Sequence, residues 1–233
     1  MYPEVEMVQC YDEFCEELLS AGFSLGGGSD KGIYAVVPFD WTEQPCNTPV
    51  RWHTGEPDTD PWEWRMRVLE ERSDIAYSKV FFRTSGFITE EWYPYFLAVR
   101  RQGMTFEEAW DSGRISDLAR RIYRAIQENG RVPMHDIKRL AGLHGESSAH
   151  VEKAMTDLQM GMFLTICGRQ QKRNMYGEPY GWSSTVFCTP EEFWQRDFDD
   201  LPDGAHAVQR ICARVSQLNP AAQERRIRKF IYG

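Results

Sequence analysis

The sequence has 233 residues, of which 42% are hydrophobic and 13% aromatic, so the chain can bury a core and global disorder is excluded. Its net charge of −8 is unevenly divided, because residues 1–115 carry 21 acidic and 10 basic side chains whereas residues 116–233 carry 14 acidic and 17 basic ones. The net charges of these two halves, −11 and +3, favour a nucleic-acid-facing second half but exclude the strongly basic class of tight non-specific binders.

The residue patterns also disfavour several kinds of protein and site. No apolar run approaches the roughly 20 residues of a membrane span, and the acidic start MYPEVEMVQCYDEF is unlike a signal peptide. We therefore expect a cytoplasmic protein without a membrane partner. The six cysteines include no CxxC pair and the five histidines show no metal-ligand spacing, so we expect free thiols, no metal and no cofactor.

The first region, residues 1–115, is predicted to be an aromatic-rich α+β segment. A helix is expected from Tyr11 to Ala21, followed by a glycine-rich turn and a strand over Ile33–Val37. A second helix is expected from Pro61 to about Arg72, because proline suits the first position of a helix. Residues 76–82 fit a strand or a short helix.

Three helices and a β-hairpin are predicted in the central region. Ser116 is a suitable N-cap for the first helix, a proline opens the second, and Ser147 or Ser148 caps the third. The apolar period then changes from 3.6 residues to nearly 2. Residues 163–169 and 182–188 are rich in β-branched and aromatic side chains, and a loop with glycine and proline separates them, which predicts two paired strands.

This order of elements is the plan of a winged helix, in which the third helix can enter a major groove and the hairpin loop is the wing. The predicted fold class is therefore α+β and mostly helical. The winged helix spans residues 116–190, between the aromatic-rich N-terminal region and a helical extension over residues 191–233. In that extension we expect a helix over 205–218 and a basic last helix.

The hairpin loop and the third helix supply candidate contacts to double-stranded DNA. Cations there can bind phosphates, amide side chains can reach base edges, and aromatic rings can wedge or stack. The candidate DNA-binding residues are His150, Lys153, Arg169, Gln170, Gln171, Lys172, Arg173, Asn174 and Tyr176. The alternative interpretation of the loop is a solvated hairpin turn. The third helix is poorer in Arg, Lys, Asn and Gln than most helices that read DNA.

The stretch 52–64 combines aromatic rings with carboxylates, as a pocket for a flipped base requires. The candidate pocket residues are Trp52, His53, Trp62 and Trp64. The candidate catalytic acids are Asp58, Asp60 and Glu63, which could orient water or stabilise a developing positive charge. The alternative interpretation is a tryptophan-rich core with acids on its surface.

Four segments carry a resemblance to a known family: WHTGEPDTDPWEWR, GFITEEWYPYFLAVRR, IYRAIQENGRVPMHDIKRLAGL and LTICGRQQKRNMYGEPYGWSSTVFCT. Over roughly residues 50–190 the chain resembles bacterial AlkZ-related proteins, distant relatives of the AlkZ/YcaQ winged-helix DNA glycosylases. The resemblance implies a winged-helix fold and a role connected with DNA. Those glycosylases excise alkylated or crosslinked bases with a Gln-x-Gln or Gln-x-Asp motif near the start of the chain, where this sequence has none. Gln170 and Gln171 are adjacent and lie in the predicted wing, so the catalytic role is not assigned to them.

Three hypotheses of function follow. The chain is a DNA-binding protein that acts in repair of alkylated DNA, a non-catalytic regulatory protein that binds DNA, or a module whose winged helix binds another protein. Positive surface around the third helix, the loop and the last helix would favour the first two hypotheses. A cleft lined by the 52–64 aromatics beside the wing would favour the first.

Overall fold

A computed structural model describes residues 7–233, which contain ten helices and six strands. In chain order the elements are α1 Tyr11–Ala21, β1 Phe23–Leu25, α2 Pro61–Glu71, β2 Ile75–Phe81, β3 Thr84–Thr89, α3 Tyr93–Arg101, α4 Phe106–Asp111, α5 Asp117–Asn129, β4 Val132–Pro133, α6 Met134–Leu140, α7 Ser148–Met160, β5 Thr165–Gln170, β6 Ser184–Cys188, α8 Pro190–Trp194, α9 Gly204–Leu218 and α10 Glu224–Tyr232. The predicted α+β class is confirmed. None of the helices within 7–233 combines the length and apolar character that crossing a bilayer requires.

Side-chain caps fix the helix starts that the sequence predicts. The Ser116 hydroxyl accepts a hydrogen bond from the Ala119 N–H at the start of α5, and Ser147 does the same for His150 at the start of α7. Such caps satisfy backbone donors that the first helical turn leaves free, which is why short polar residues mark helix starts in a sequence.

One antiparallel sheet contains all six strands, in the order β1-β3-β2-β5-β6-β4. The junction between β2 and β5, where Tyr77 lies opposite Ile166, joins the N-terminal strands to the hairpin β5–β6. The sheet therefore crosses the boundary that the sequence predicts after residue 115.

Two buried clusters pack against this sheet. One contains Trp64 of α2 together with Ile122 of α5 and Leu158 of α7, so it spans the N-terminal and central regions. The other contains Phe96 of α3 together with Phe230 of α10, so the C-terminal helices pack against the N-terminal region. The N-terminal and central regions thus share one sheet and one core, and the C-terminal helices are joined to them through the second core.

The predicted strand over Ile33–Val37 is wrong. Ile33 and Val37 are buried, as their apolar character requires, but the backbone there is irregular. The Val36 N–H donates to the Ser24 hydroxyl of β1 instead of to a partner strand. One backbone bond, from the Leu25 N–H to the Tyr34 carbonyl at 3.0 Å, also joins this segment to β1. The buried apolar run is therefore held by one backbone bond and one side-chain bond rather than by a ladder.

The hairpin is shorter than the sequence pattern indicates. The predicted strands 163–169 and 182–188 begin two residues later, at Thr165 and Ser184. Trp182, predicted as the first residue of the second strand, consequently lies outside β6 and is 91% exposed. β4 adds a short third strand, with Val132 opposite Phe187.

Candidate nucleic-acid interface

The connection between β5 and β6, residues 171–183, presents large apolar side chains to solvent. Trp182 is 91% exposed, Met175 88% and Tyr176 79%, and Tyr180 is also exposed. We call this group of three rings and one methionine the hairpin aromatic cluster. A group of exposed rings on one loop is costly for solubility, and such patches commonly mark binding surfaces.

Internal hydrogen bonds give this loop a defined shape. The Asn174 Oδ1 accepts from the N–H groups of Tyr176 and Glu178, at 2.9 and 3.0 Å, and the Gln171 amide donates to the Tyr180 and Gly181 carbonyls. Two of the predicted base-reading residues, Gln171 and Asn174, thus hold the loop itself.

The predicted phosphate-binding cations of the loop differ in their contacts. The Arg173 guanidinium donates to the Gly177 carbonyl at 2.7 Å, and Lys172 forms no ion pair with any residue in 7–233. Their charges are therefore not neutralised by neighbouring carboxylates. Gln170 ends β5 and is exposed.

The outward face of α7 is partly neutralised. The Lys153 ammonium lies 2.9 Å from an Asp157 oxygen, and Arg83 lies 2.7 Å from the other oxygen of the same carboxylate. His150 is exposed, with its Nδ1 3.7 Å from a Glu146 oxygen. Lys153 and His150, both predicted to contact DNA, thus have acidic neighbours on their own helix or just before it.

Arg169 anchors the base of the hairpin to α2. Its guanidinium contacts Glu70 at 2.9 Å and Glu63 at 3.6 Å. The two carboxylates therefore neutralise the Arg169 charge, which the sequence predicts to contact phosphate. It also places Glu63, one of the predicted catalytic acids, beside the hairpin.

The four aromatic residues predicted to form one pocket have separate roles. Trp64 is fully buried, packs against Phe14 at a ring distance of 4.9 Å and donates to the Pro57 carbonyl, so it belongs to the core. His53 contacts Trp62 at 4.8 Å, and the Trp52 indole N–H donates to the Phe39 carbonyl.

The exposed ring of Trp62 is covered on one face by the Arg65 guanidinium, 3.2 Å from its centroid. The 52–64 stretch therefore presents a small aromatic surface rather than an enclosed pocket built from all four rings. That surface still lies close to the hairpin, because the neighbouring Glu63 contacts Arg169.

The three predicted catalytic acids differ in accessibility. Asp60 is fully buried, and its carboxylate accepts from the backbone N–H groups of His53, Gly55 and Trp62 at 2.9 to 3.0 Å. These bonds cap α2 and close the loop before it. Asp58 retains an exposed carboxylate, with a side-chain exposure of 70%, whereas Glu63 is partly exposed at 32% and lies 3.6 Å from Arg169.

A cavity of about 1170 Å³ lies between α3, α4 and the connection from α8 to α9, and the sequence did not indicate it. Its polar lining includes the Arg101–Glu191 ion pair at 2.7 Å and the carboxylate of Asp197. Tyr123 also lines it, and burial raises the pKa of that phenol to about 12. The lining comes from segments about 90 residues apart along the chain, so only the folded chain brings them together.

The six cysteines are free. The interaction between the neighbouring Cys167 and Cys188 thiols across the hairpin lowers the pKa of Cys167 and raises that of buried Cys188. Within residues 7–233, no three His, Cys, Asp or Glu side chains are grouped as a metal site would need.

The sequence matches the family described as "AlkZ related" over residues 8–232, nearly the whole chain. The chain belongs to the AlkZ-related family. The match extends the resemblance beyond the central segments that carry it in the sequence, and it includes the N-terminal helix and the C-terminal helices of the AlkZ-related chain.

Comparison with individual proteins adds one distant similarity. No match was found among curated protein sequences. Among solved structures, the AlkZ-related chain is similar to the DNA glycosylase AlkZ of Streptomyces sahachiroi, with 10% identity and a TM-score of 0.42 over 74% of this chain. The similarity spans 50% of that AlkZ chain. It assigns no role to any residue here.

Proposed function

We propose that this AlkZ-related protein binds double-stranded DNA through the hairpin loop and α7 and acts in DNA repair. The observation that carries the proposal is the hairpin aromatic cluster, which combines exposed rings with the cations Lys172 and Arg173 on one shaped loop. Phosphates attract such cations, and unstacked or distorted bases offer faces on which the rings can stack.

The order of elements supports a winged helix over residues 116–190. Three helices, α5 to α7, precede the hairpin β5–β6, and the short strand β4 pairs with β6. In this plan α7 is the helix that enters a groove and the 171–183 loop is the wing. Because α7 carries few uncompensated cations, we assign most of the binding energy to the loop.

A narrower proposal is removal of an alkylated base by hydrolysis of its glycosidic bond. A carboxylate would stabilise the positive charge that develops on the sugar or orient the attacking water. Asp58 and Glu63 are the candidates whose oxygens reach solvent, whereas the Asp60 oxygens are occupied by backbone donors. We therefore expect Asp60 to have a structural role, in which it holds the loop and the start of α2 that carry Asp58 and Glu63.

The test of DNA binding compares two exposed tryptophans. Fluorescence anisotropy is measured with labelled duplexes that are intact, abasic or N-alkylated. Trp182→Ala is expected to weaken binding by about 1–3 kcal/mol, the usual value of one stacking contact. Trp41→Ala is the matched control, because Trp41 is 69% exposed but lies outside the hairpin. Equal affinities of the two variants would contradict the role of the hairpin.

Base release is assayed separately on the N-alkylated duplex. Glu63→Gln and Asp58→Asn are expected to abolish or strongly slow release while binding persists. Release at the wild-type rate in both variants would remove these two carboxylates from the mechanism.

A second candidate function is binding of a partner protein, and the same exposed cluster favours it because rings are frequent at protein interfaces. The acids that neutralise α7 also fit this alternative. It predicts no duplex binding even at low ionic strength, whereas the DNA proposal predicts binding that weakens as salt is added.

A further inference from the structure

A second concentration of positive charge lies far from the hairpin loop in the sequence. A cavity of about 340 Å³ is formed by the β2–β3 turn, the end of α7 and α10. Four of its nine lining residues are cations and none is Asp or Glu. These cations are Arg83, Arg100, Arg114 and Lys229. We call this feature the cationic cavity.

The buried cation in this cavity, Arg100, pairs with no Asp or Glu of residues 7–233, and its guanidinium lies beside Gly233 of the lining. Arg100 is 6% exposed, and its guanidinium donates to the carbonyls of Val80, Met160, Phe230 and Ile231 at 2.5 to 2.8 Å. Desolvation lowers the pKa of Arg100 to about 10, so the side chain remains charged at neutral pH. Buried charges are normally paired, and this one forms no ion pair within residues 7–233.

Further cations lie close to Lys229 of the cavity. The Lys31 ammonium and the Arg226 guanidinium lie 6.0 and 5.5 Å from the centre of the Phe82 ring. Burial lowers the pKa of Lys31, and the charges of Arg226 and Lys229 lower it further. The three cations therefore repel one another, and a bound anion would relieve that repulsion.

The β2–β3 turn connects the cavity to α7. Phe82 and Arg83 have φ values of 52° and 61°, a conformation that favours glycine or asparagine in a two-residue hairpin turn. This turn directs Arg83 onto Asp157 of α7, which also binds Lys153. Arg83 of the cavity lining is thus linked through Asp157 to Lys153, a residue of α7 assigned to DNA.

We propose that the cationic cavity binds a backbone phosphate of the same DNA that α7 and the hairpin loop engage. This inference rests on the proposed function. Lys229 of the lining and Arg226, which lies over the Phe82 ring at the edge of the cavity, supply donors. Arg100 supplies charge and one remaining N–H, since carbonyls accept from four of its five N–H groups. A phosphodiester fits because it is a small anion that needs charge and few directed bonds.

The test is the salt dependence of duplex binding by the full chain. The double variant Arg226→Gln/Lys229→Gln is expected to lower the slope of log affinity against log salt by about two, about one for each lost phosphate contact. Arg228→Gln is the matched control, because its position two residues after Arg226 puts it on the opposite side of α10. It is expected to leave the slope unchanged.

A second variant separates lost contacts from misfolding. Asp157→Asn releases Arg83 and Lys153, and we expect tighter duplex binding and a slope about one unit steeper. Wild-type binding with an unchanged slope in the double variant would overturn the cavity proposal and leave the proposed function standing. Absence of wild-type binding would overturn the proposed function, and this inference with it.

Discussion

Asp60 shows how much structure a single carboxylate can organise. It is fully buried, and three backbone N–H groups from the loop and from α2 converge on its two oxygens. Asp60→Ala leaves these donors without a partner, so we expect a loss of about 2–4 kcal/mol in the free energy of unfolding. The measurement is urea denaturation followed by circular dichroism.

Asp58→Ala is the control for that experiment. Asp58 is exposed and lies 3.9 Å from Arg67, so the expected change is within about 0.5 kcal/mol. Comparable destabilisation by the two variants would contradict the structural role of Asp60.

The Asp157 carboxylate gives a prediction for pH. Burial raises its pKa, but hydrogen bonds from Lys153 and Arg83 outweigh that effect and hold the pKa below the ordinary value of 3.8. A depressed pKa in the folded state means stabilisation that is present above 3.8 and is lost as the pH falls through the folded value.

For Asp157→Asn we therefore expect a loss of less than about 1 kcal/mol at pH 7, since both ion pairs are solvent-exposed. The difference from wild type should shrink as the pH is lowered below 3.8. Urea denaturation at several pH values measures it. A difference that grows at acidic pH would contradict the assigned pairing.

At the scale of elements, we expect that the hairpin loop can be deleted while the sheet that carries it stays folded. Gln171 and Ser183 face each other across its base, with the Ser183 hydroxyl donating to the Gln171 amide oxygen at 2.9 Å. Replacing residues 172–182 by Asn-Gly should close the hairpin with a two-residue turn. We expect the thermal unfolding midpoint to change little and duplex binding to be lost.

For this loop-deletion variant, circular dichroism measures the thermal unfolding midpoint and fluorescence anisotropy measures duplex binding. Duplex binding that survives removal of the loop would contradict its assigned role. Loss of the folded signal would instead show that the loop stabilises the sheet.

The elements that sequence reasoning placed correctly are those with local causes. Ser116 and Ser147 are caps whose hydrogen bonds lie within three residues, so α5 and α7 could be predicted from the sequence. Trp182 was assigned to a strand because strand alternation alone does not say where pairing stops. Ile33–Val37 was assigned to a strand because burial alone does not specify a partner strand.

The candidate site was less predictable, because which of its cations are neutralised depends on carboxylates from distant parts of the chain. Arg169 is paired with Glu63 and Glu70, about 100 residues earlier in the chain. The hairpin cluster was largely predictable, since Met175, Tyr176 and Tyr180 follow the polar run 169–174 in the predicted loop. The cationic cavity was not, because residues from five separate segments form it.

At the scale of the whole molecule, the shared sheet predicts that the central region does not fold alone. In a fragment of residues 116–190, β5 would lose its partner β2, and the core side chains of α7 would lose Trp64 and its neighbours. We expect such a fragment to give a poorly dispersed proton–nitrogen NMR spectrum, whereas the full chain gives a dispersed one. A dispersed spectrum from the fragment would show an independent domain.

The central claim is that this AlkZ-related chain binds DNA. Its most direct test is anisotropy of a labelled duplex titrated with the wild-type protein across a salt series. We predict saturable binding at low salt, with log affinity falling linearly against log salt as phosphate-bound counterions are released. Absence of binding at the lowest salt would contradict the claim and leave a partner protein as the ligand of the exposed hairpin.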